Sequence, residues 1–146
     1  MFLKTTEYAL RAVIYIAQKS SEEKKSGLVE IAKAIDSPQS FTAKILQQLT
    51  SGNKIISSVR GPNGGFFISE KAKKLPVYAV LDVMGEDEIL KKCVLGLNLC
   101  SETKPCPMHV QYKLIKLQLI KLFETKTIQH LADEITSGAS FISNKK

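Results

Sequence analysis

Cys93, Cys100 and Cys106 are the three cysteines of the 146-residue chain, and all fall within fourteen consecutive positions. Thiolates crowded on a loop that also contains Gly96, Asn98 and Pro105 suit a soft metal centre that takes several sulfur donors at once. The gaps of six and five residues between them are wider than the two-residue spacings typical of zinc sites. They suit a loop wrapped around an iron–sulfur cluster. Zinc is a second reading, with His109, three residues after Cys106, as fourth ligand. A thiol/disulfide switch is a third, although disulfides are rare in the cytosol and an odd count leaves one thiol over. An electron-transfer protein would use the same cysteines. The chain has neither a Gly-rich cofactor loop nor a second substrate lobe, so no enzyme is expected.

The loop must be held by what flanks it. Pro76 to Met84 reads as a short helix with proline at a tolerated first position, broken by Gly85-Glu86-Asp87-Glu88. From Pro107 to Thr125 the pattern is a long helix. Met108, Tyr112, Ile115, Leu119, Leu122 and Phe123 form one apolar stripe, and Val110, Leu114 and Leu117 form a second among lysines. A helix apolar on two sides needs two partners. One is its own domain; the other is the same helix of a second subunit. Met108, Tyr112, Ile115, Leu119 and Leu122 are therefore the candidate dimerisation residues. A last helix spans about Thr127 to Ile135, and the polar tail after Thr136 is expected to be mobile.

The amino-terminal half has a different character. Residues 1–75 carry a net charge of +6 of the chain's +7, and Pro38 to Ser69 contain no acidic residue. A positive field confined to one lobe suits a polyanion. Thr5 to Lys19 reads as a helix, and Leu28, Ile31, Ala32 and Ile35 mark a second, ended by Asp36-Ser37-Pro38 because the residue before proline avoids the α region. A third runs from about Gln39 to Thr50 on a buried face of Phe41, Ile45, Leu46 and Leu49. Ser51-Gly52-Asn53 closes it with residues that tolerate a left-handed conformation.

Two short helices joined tightly, with small Ala32 at their approach, fit a helix-turn-helix. Its second helix enters the DNA major groove. Strand-like Ile55–Val59 and Phe66–Ser69 flank Arg60-Gly61-Pro62-Asn63-Gly64-Gly65, a loop of turn formers that makes a narrow hairpin, or wing. Arg60 at its base is placed to enter a minor groove, whose negative potential attracts guanidinium. The candidate DNA contacts are Gln39, Ser40, Phe41, Thr42 and Lys44, with Arg60, Gly61, Pro62, Asn63 and Gly64 from the loop.

The expected fold is mainly α with a small β-hairpin wing: a winged helix-turn-helix domain plus a long dimerisation helix. Four segments follow: 1–75 for DNA binding, 76–105 for the connecting helix and cysteine loop, 106–135 for the dimerisation and packing helices, and 136–146 as tail. The hydrophobic fraction of 44% supports a folded core, and the 24% charged fraction is ordinary for a soluble protein. Glu7 and Arg11 interrupt the first apolar stretch, which reads as neither a secretion signal nor a membrane span. A cytoplasmic location without membrane contact is expected.

Leu3-Lys4-Thr5-Thr6-Glu7-Tyr8-Ala9-Leu10-Arg11, the wing Arg60-Gly61-Pro62-Asn63-Gly64-Gly65-Phe66 and a triple-cysteine loop before a long helix together resemble the Rrf-two family of bacterial winged-helix regulators, with its IscR-like and NsrR-like branches. The resemblance covers essentially the whole chain. It implies a homodimer on a pseudo-palindromic double-stranded promoter, with DNA binding controlled by a 2Fe–2S or 4Fe–4S cluster that senses nitric oxide, redox state or iron–sulfur status. By position, Cys93, Cys100 and Cys106 would be the cluster thiolates. The fourth ligand would be Glu7 of the partner subunit, as in NsrR-like members, or His109, as in IscR-like ones. Arg11 would lie one helical turn from Glu7. The six-residue first gap departs from the family's commoner spacing of five or fewer.

Overall fold

The computed structural model describes residues 1–97 and 101–143, so Cys100 lies outside the described residues. The chain opens with α1 (Lys4–Lys19), an uninterrupted helix that buries Ala9, Ala12, Val13, Ile16 and Ala17 along one face. It is followed by α2 (Leu28–Ala34) and α3 (Gln39–Leu49). Between α2 and α3, Asp36 takes a left-handed φ of 55°, which a short polar side chain tolerates better than most. Pro38 then caps α3, and its carbonyl accepts the Thr42 N–H at 2.9 Å. At the far end Gly52 and Asn53 adopt φ of 67° and 53°, the left-handed exit foreseen for this segment.

Ile55 and Ile56 do not pair as strand. They are 1% and 0% exposed and plug the core, and pairing starts only with β1 (Ser57–Val59). Strand β2 (Gly65–Phe67) lies antiparallel to it, with Ser57 opposite Phe67 and Val59 opposite Gly65. Ser26 flanks β2 on its other side, its N–H donating to the Phe66 carbonyl at 2.9 Å and its carbonyl accepting from the Phe66 N–H at 2.8 Å. The polar break before α2 thus satisfies an edge that would otherwise present unpaired backbone groups.

Short α4 (Glu70–Lys73), capped by the Ser69 hydroxyl, leads to α5 (Tyr78–Val83). A single 3-10 turn, Asp87–Leu90, precedes the cysteine loop. The long helix α6 (His109–Thr125) follows the loop, and α7 (Ile128–Thr136) completes the fold. Thr127 and His130 form a reciprocal cap at the start of α7, which satisfies two helix-end donors at once. The Val77 N–H donates to the Lys126 carbonyl, and the Ile128 N–H to the Leu75 carbonyl, at 2.8 and 3.0 Å. These bonds tie the start of α7 to the segment between α4 and α5, and Ile128 and Ala132 enter the same core as Ile16, Ile31, Ile45 and Leu46. The segment expected at 106–135 therefore has two duties: α6 lies outside that core and α7 belongs to it. No helix among the described residues is long and apolar enough to cross a membrane.

Candidate DNA-reading surface and cysteine site

The core decides which side of α3 faces outward. Thr42, Ile45, Leu46 and Leu49 are its buried residues, and their spacing is that of one helical face. Phe41 lies one position off that face and is 50% exposed. The expectation of a buried Phe41 is thus corrected, and so is that of an outward Thr42. Thr42 is fully buried, its hydroxyl donating to the Pro38 carbonyl at 2.9 Å and meeting Ser37 Oγ at 3.0 Å. The α3 surface consists of Gln39, Ser40, Phe41, Ala43, Lys44, Gln47 and Gln48. Arg11 holds the end of α2, ahead of the turn into α3: its Nη1 donates to the Ile35 carbonyl at 3.0 Å, and its guanidinium lies 5.2 Å from the centre of the Tyr8 ring.

In the hairpin, Arg60, Gly61, Pro62 and Asn63 are exposed and Gly64 is half-buried. Positive φ in the hairpin falls at Gly61 and at Gly65, the last residue of the Asn63-Gly64-Gly65 run, at 107° and 143°. Gly64 is required for another reason. A Cβ there would lie 2.2 Å from the Val59 carbonyl oxygen, because the Gly64 N–H turns back to the Gly61 carbonyl at 2.9 Å.

Across the molecule, the cysteine loop brings Cys93 and Cys106 together. Their sulfurs are 3.6 Å apart, Cys93 buried and Cys106 half-buried. The Leu95 N–H, and after it the Leu97 N–H, hold the Cys93 thiol below its ordinary value, with the Cys106 thiol and the Lys116 ammonium adding to the effect and burial opposing it. Two thiolates bound to one tetrahedral metal by bonds of roughly 2.3 Å stand about 3.8 Å apart, so this pair fits a shared metal. Among the described residues no third His, Cys, Asp or Glu joins them in a metal-holding group. His109 is 7% exposed and starts α6, its N–H donating to the Cys106 carbonyl at 3.0 Å. Its Nε2 lies 3.4 Å from Glu102 Oε1. Glu102 also accepts from Lys113 at 2.5 Å, and Lys113 first, then His109, hold its carboxyl below the usual range. Glu7, on α1, lies 3.6 Å from Lys4 Nζ.

Helix α6 departs from its expected orientation. The first apolar stripe is only half covered by the chain's own domain, with Phe123 packed edge-to-face on Phe2 at 5.6 Å, and the fully buried residues are His109 and Lys116. The reason is local. The turn before Cys93 leaves carbonyls facing α6, and Lys116 supplies the donor they need. Of the candidate dimerisation residues, Met108, Ile115 and Leu122 are 47–52% exposed, while Tyr112 and Leu119 are half-buried. Val110, Leu114 and Leu117 are also exposed.

Residues 2–134 match a family model described as Rrf2, an iron-dependent transcriptional regulator. The chain belongs to the Rrf2 family. A protein of Aquifex aeolicus named as a candidate HTH-type transcriptional regulator is 32% identical over 133 residues, covering 90% of each chain. The HTH-type transcriptional regulator NsrR of Oceanobacillus iheyensis is 28% identical over 130 residues, covering 88% of this chain and 86% of its own. Among solved structures, IscR of T. potens superposes with a TM-score of 0.71 at 14% identity, over 96% of this chain and 91% of that one.

As an Rrf2 regulator, the chain is a transcriptional regulator and not an enzyme, and its winged-helix fold is the one the sequence led us to expect. The sequence reading missed three residues that shape the sites of this Rrf2 protein: Ser26, Glu102 and Lys116. Ser26 acts through its own backbone, and the Lys116 ammonium acts on the backbone carbonyls of Lys91 and Lys92, pairings that carry no sequence signal. Glu102 was legible only as a lone carboxylate between Cys100 and Cys106.

Proposed function

We propose that this Rrf2 regulator is a homodimer that reads a pseudo-palindromic promoter with α3 and the wing, under control of an iron–sulfur cluster held by Cys93, Cys100 and Cys106. The observation that carries the reading is the 3.6 Å approach of Cys93 and Cys106 in a chain whose family is described as iron-dependent. That separation favours two thiolates on one metal. A two-iron cluster offers two ligands per iron, whereas a four-iron cluster takes one cysteine on each. The fourth ligand is His109, beside the loop, or Glu7 of the partner subunit. When bound, the cluster supplies a redox- and nitric-oxide-reactive centre.

The protein's own residues do the rest. Lys44 and the wing settle on phosphates, which fix register without reading sequence. Gln39, Ser40 and Phe41 face the major groove, where amide, hydroxyl and apolar contacts distinguish bases, and Arg60 enters the minor groove. The exposed apolar residues of α6, among them Met108, Leu114, Ile115 and Leu122, pack against the same helix of a second copy, which spaces the two α3 helices about one DNA turn apart. A change in the cysteine loop shifts the dimer between binding states.

A second reading rests on the same distance. Peroxide can oxidise the two thiols to a Cys93–Cys106 disulfide, one peroxide being reduced to two waters, so that the loop switches without metal. Absorption spectra with iron and acid-labile sulfide assays on protein purified without oxygen decide between them. Visible bands with matched iron and sulfide are expected, two of each per cluster. Colourless protein after attempted reconstitution overturns the cluster reading, and peroxide treatment with cysteine mapping then tests the disulfide.

A further inference from the structure

Lysine is almost never fully buried without partners, yet Lys116 is 9% exposed in the middle of α6. Its Nζ lies 3.3 Å from the Lys91 carbonyl oxygen and 3.4 Å from that of Lys92, the two residues immediately before Cys93. The ammonium also lies 5.7 Å from the centre of the Tyr112 ring. One helical turn earlier on α6, Lys113 reaches Glu102, on the segment leading to Cys106. Two lysines of one helix thus hold both arms of the cysteine loop.

The two contacts differ in kind. Lys113 and Glu102 are 45% and 65% exposed, and such pairs are weak and easily remade. The Lys116 contact is buried and directed at backbone, so it fixes the path of the chain whatever side chains stand at 91 and 92. A buried ammonium that loses its acceptors is costly. If Cys93 moves, the two carbonyls move with it, and Lys116 must follow.

We propose that Lys116 is the positioning residue that transmits the state of the cysteine loop to α6. This rests on the reading of the loop as sensor and of α6 as dimer helix, and it names the contact that joins them.

The test uses the full-length protein as wild type, K116M, K116R and K113M, each iron- and sulfide-loaded or stripped with chelator. Hydrogen exchange is measured for residues 89–97 and for α6. In the wild type, loading slows exchange in both segments. K116M is expected to keep its iron and sulfide content and the response at 89–97, and to lose at least five-fold of the response in α6. K116R, which can still donate to both carbonyls, restores it, and K113M leaves it intact. A wild-type α6 response in K116M overturns the proposal, and so does failure of K116R to rescue. If K116M is unfolded by circular dichroism, K116Q is read in its place. If the wild type takes up no iron, the cluster reading fails separately, and the same comparison is made between peroxide-oxidised and reduced protein. An α6 that responds to neither pair of states overturns the proposal.

Discussion

The Thr42 hydroxyl donates to the carbonyl of Pro38, one turn earlier, at 2.9 Å, and the residue is fully enclosed. A buried hydroxyl that keeps its partner belongs to the scaffold of α3. Thr42→Val keeps the shape and removes the bond, so a loss of about 1 kcal/mol in denaturant unfolding is expected, with DNA affinity reduced no further than that loss explains. Phe41→Ala, at an exposed position, is expected to change stability by less than about 0.5 kcal/mol while weakening DNA binding. Loss of DNA binding in Thr42→Val at unchanged stability would reverse the two assignments.

Gly64 admits no side chain, because a Cβ would meet the Val59 carbonyl oxygen at 2.2 Å. Gly64→Ala forces the wing to re-form, at a cost on the order of 1–3 kcal/mol of local strain. The expected outcome is a ten-fold or larger loss of DNA affinity with the helical circular dichroism spectrum retained. Gly61→Ala meets no neighbour but must hold a φ of 107°, so it also weakens the wing. Wild-type DNA affinity in Gly64→Ala would remove the wing from the interface.

These two positions illustrate what the sequence could and could not convey. The order of helices, the hairpin, the left-handed exit at Gly52 and Asn53 and the position of the cysteine loop were legible, because periodicity and turn chemistry act locally. The face of α3 was misread because Phe41 outweighs Thr42 in hydrophobicity, whereas the helical period places Thr42 with Ile45, Leu46 and Leu49. Lys116 stood out in the sequence only as one of the lysines flanking the second apolar stripe of α6. Its burial depends on two carbonyls brought to α6 by the chain's path around residues 87–92, and no spacing rule reports that.

Leu114 and Ile115 are 62% and 52% exposed on α6, side by side with the other uncovered apolar residues of that helix. Charged groups are depleted at the core of such contacts. The double substitution Leu114→Glu with Ile115→Glu is therefore expected to convert a dimer into a monomer in sedimentation velocity, leaving the fold of residues 4–97 intact by hydrogen exchange. A variant that still sediments as a dimer would place the subunit contact elsewhere.

The Tyr15 hydroxyl donates to Glu30 at 2.7 Å, tying α1 to α2. Burial first, then the Glu30 carboxylate, push its pKa up to about 12 from an ordinary 10.0. A raised pKa favours the neutral phenol in the folded state, so this contribution to stability is fully present below pH 10 and is lost as pH rises from there through about 12. Ultraviolet difference titration should find one of the four tyrosines ionising late, and Glu30→Gln should bring it earlier. Four tyrosines that titrate together would contradict the contact.

Helix α7 is nearly the last element of the described chain, yet Ile128 and Ala132 fill the same core as the first helix. The surface of α1 that they cover stays open to water until the ribosome has released residues beyond 136. Contacts so far apart in sequence form late, since the loop-closure cost precedes the contact energy. A nascent chain that already contains α2, α3 and the wing thus lacks the cover that steadies them. Until residues 128–132 have left the ribosome the packing of α1 against α2 and α3 is incomplete, so the amino-terminal helices reach their full stability only together with α7.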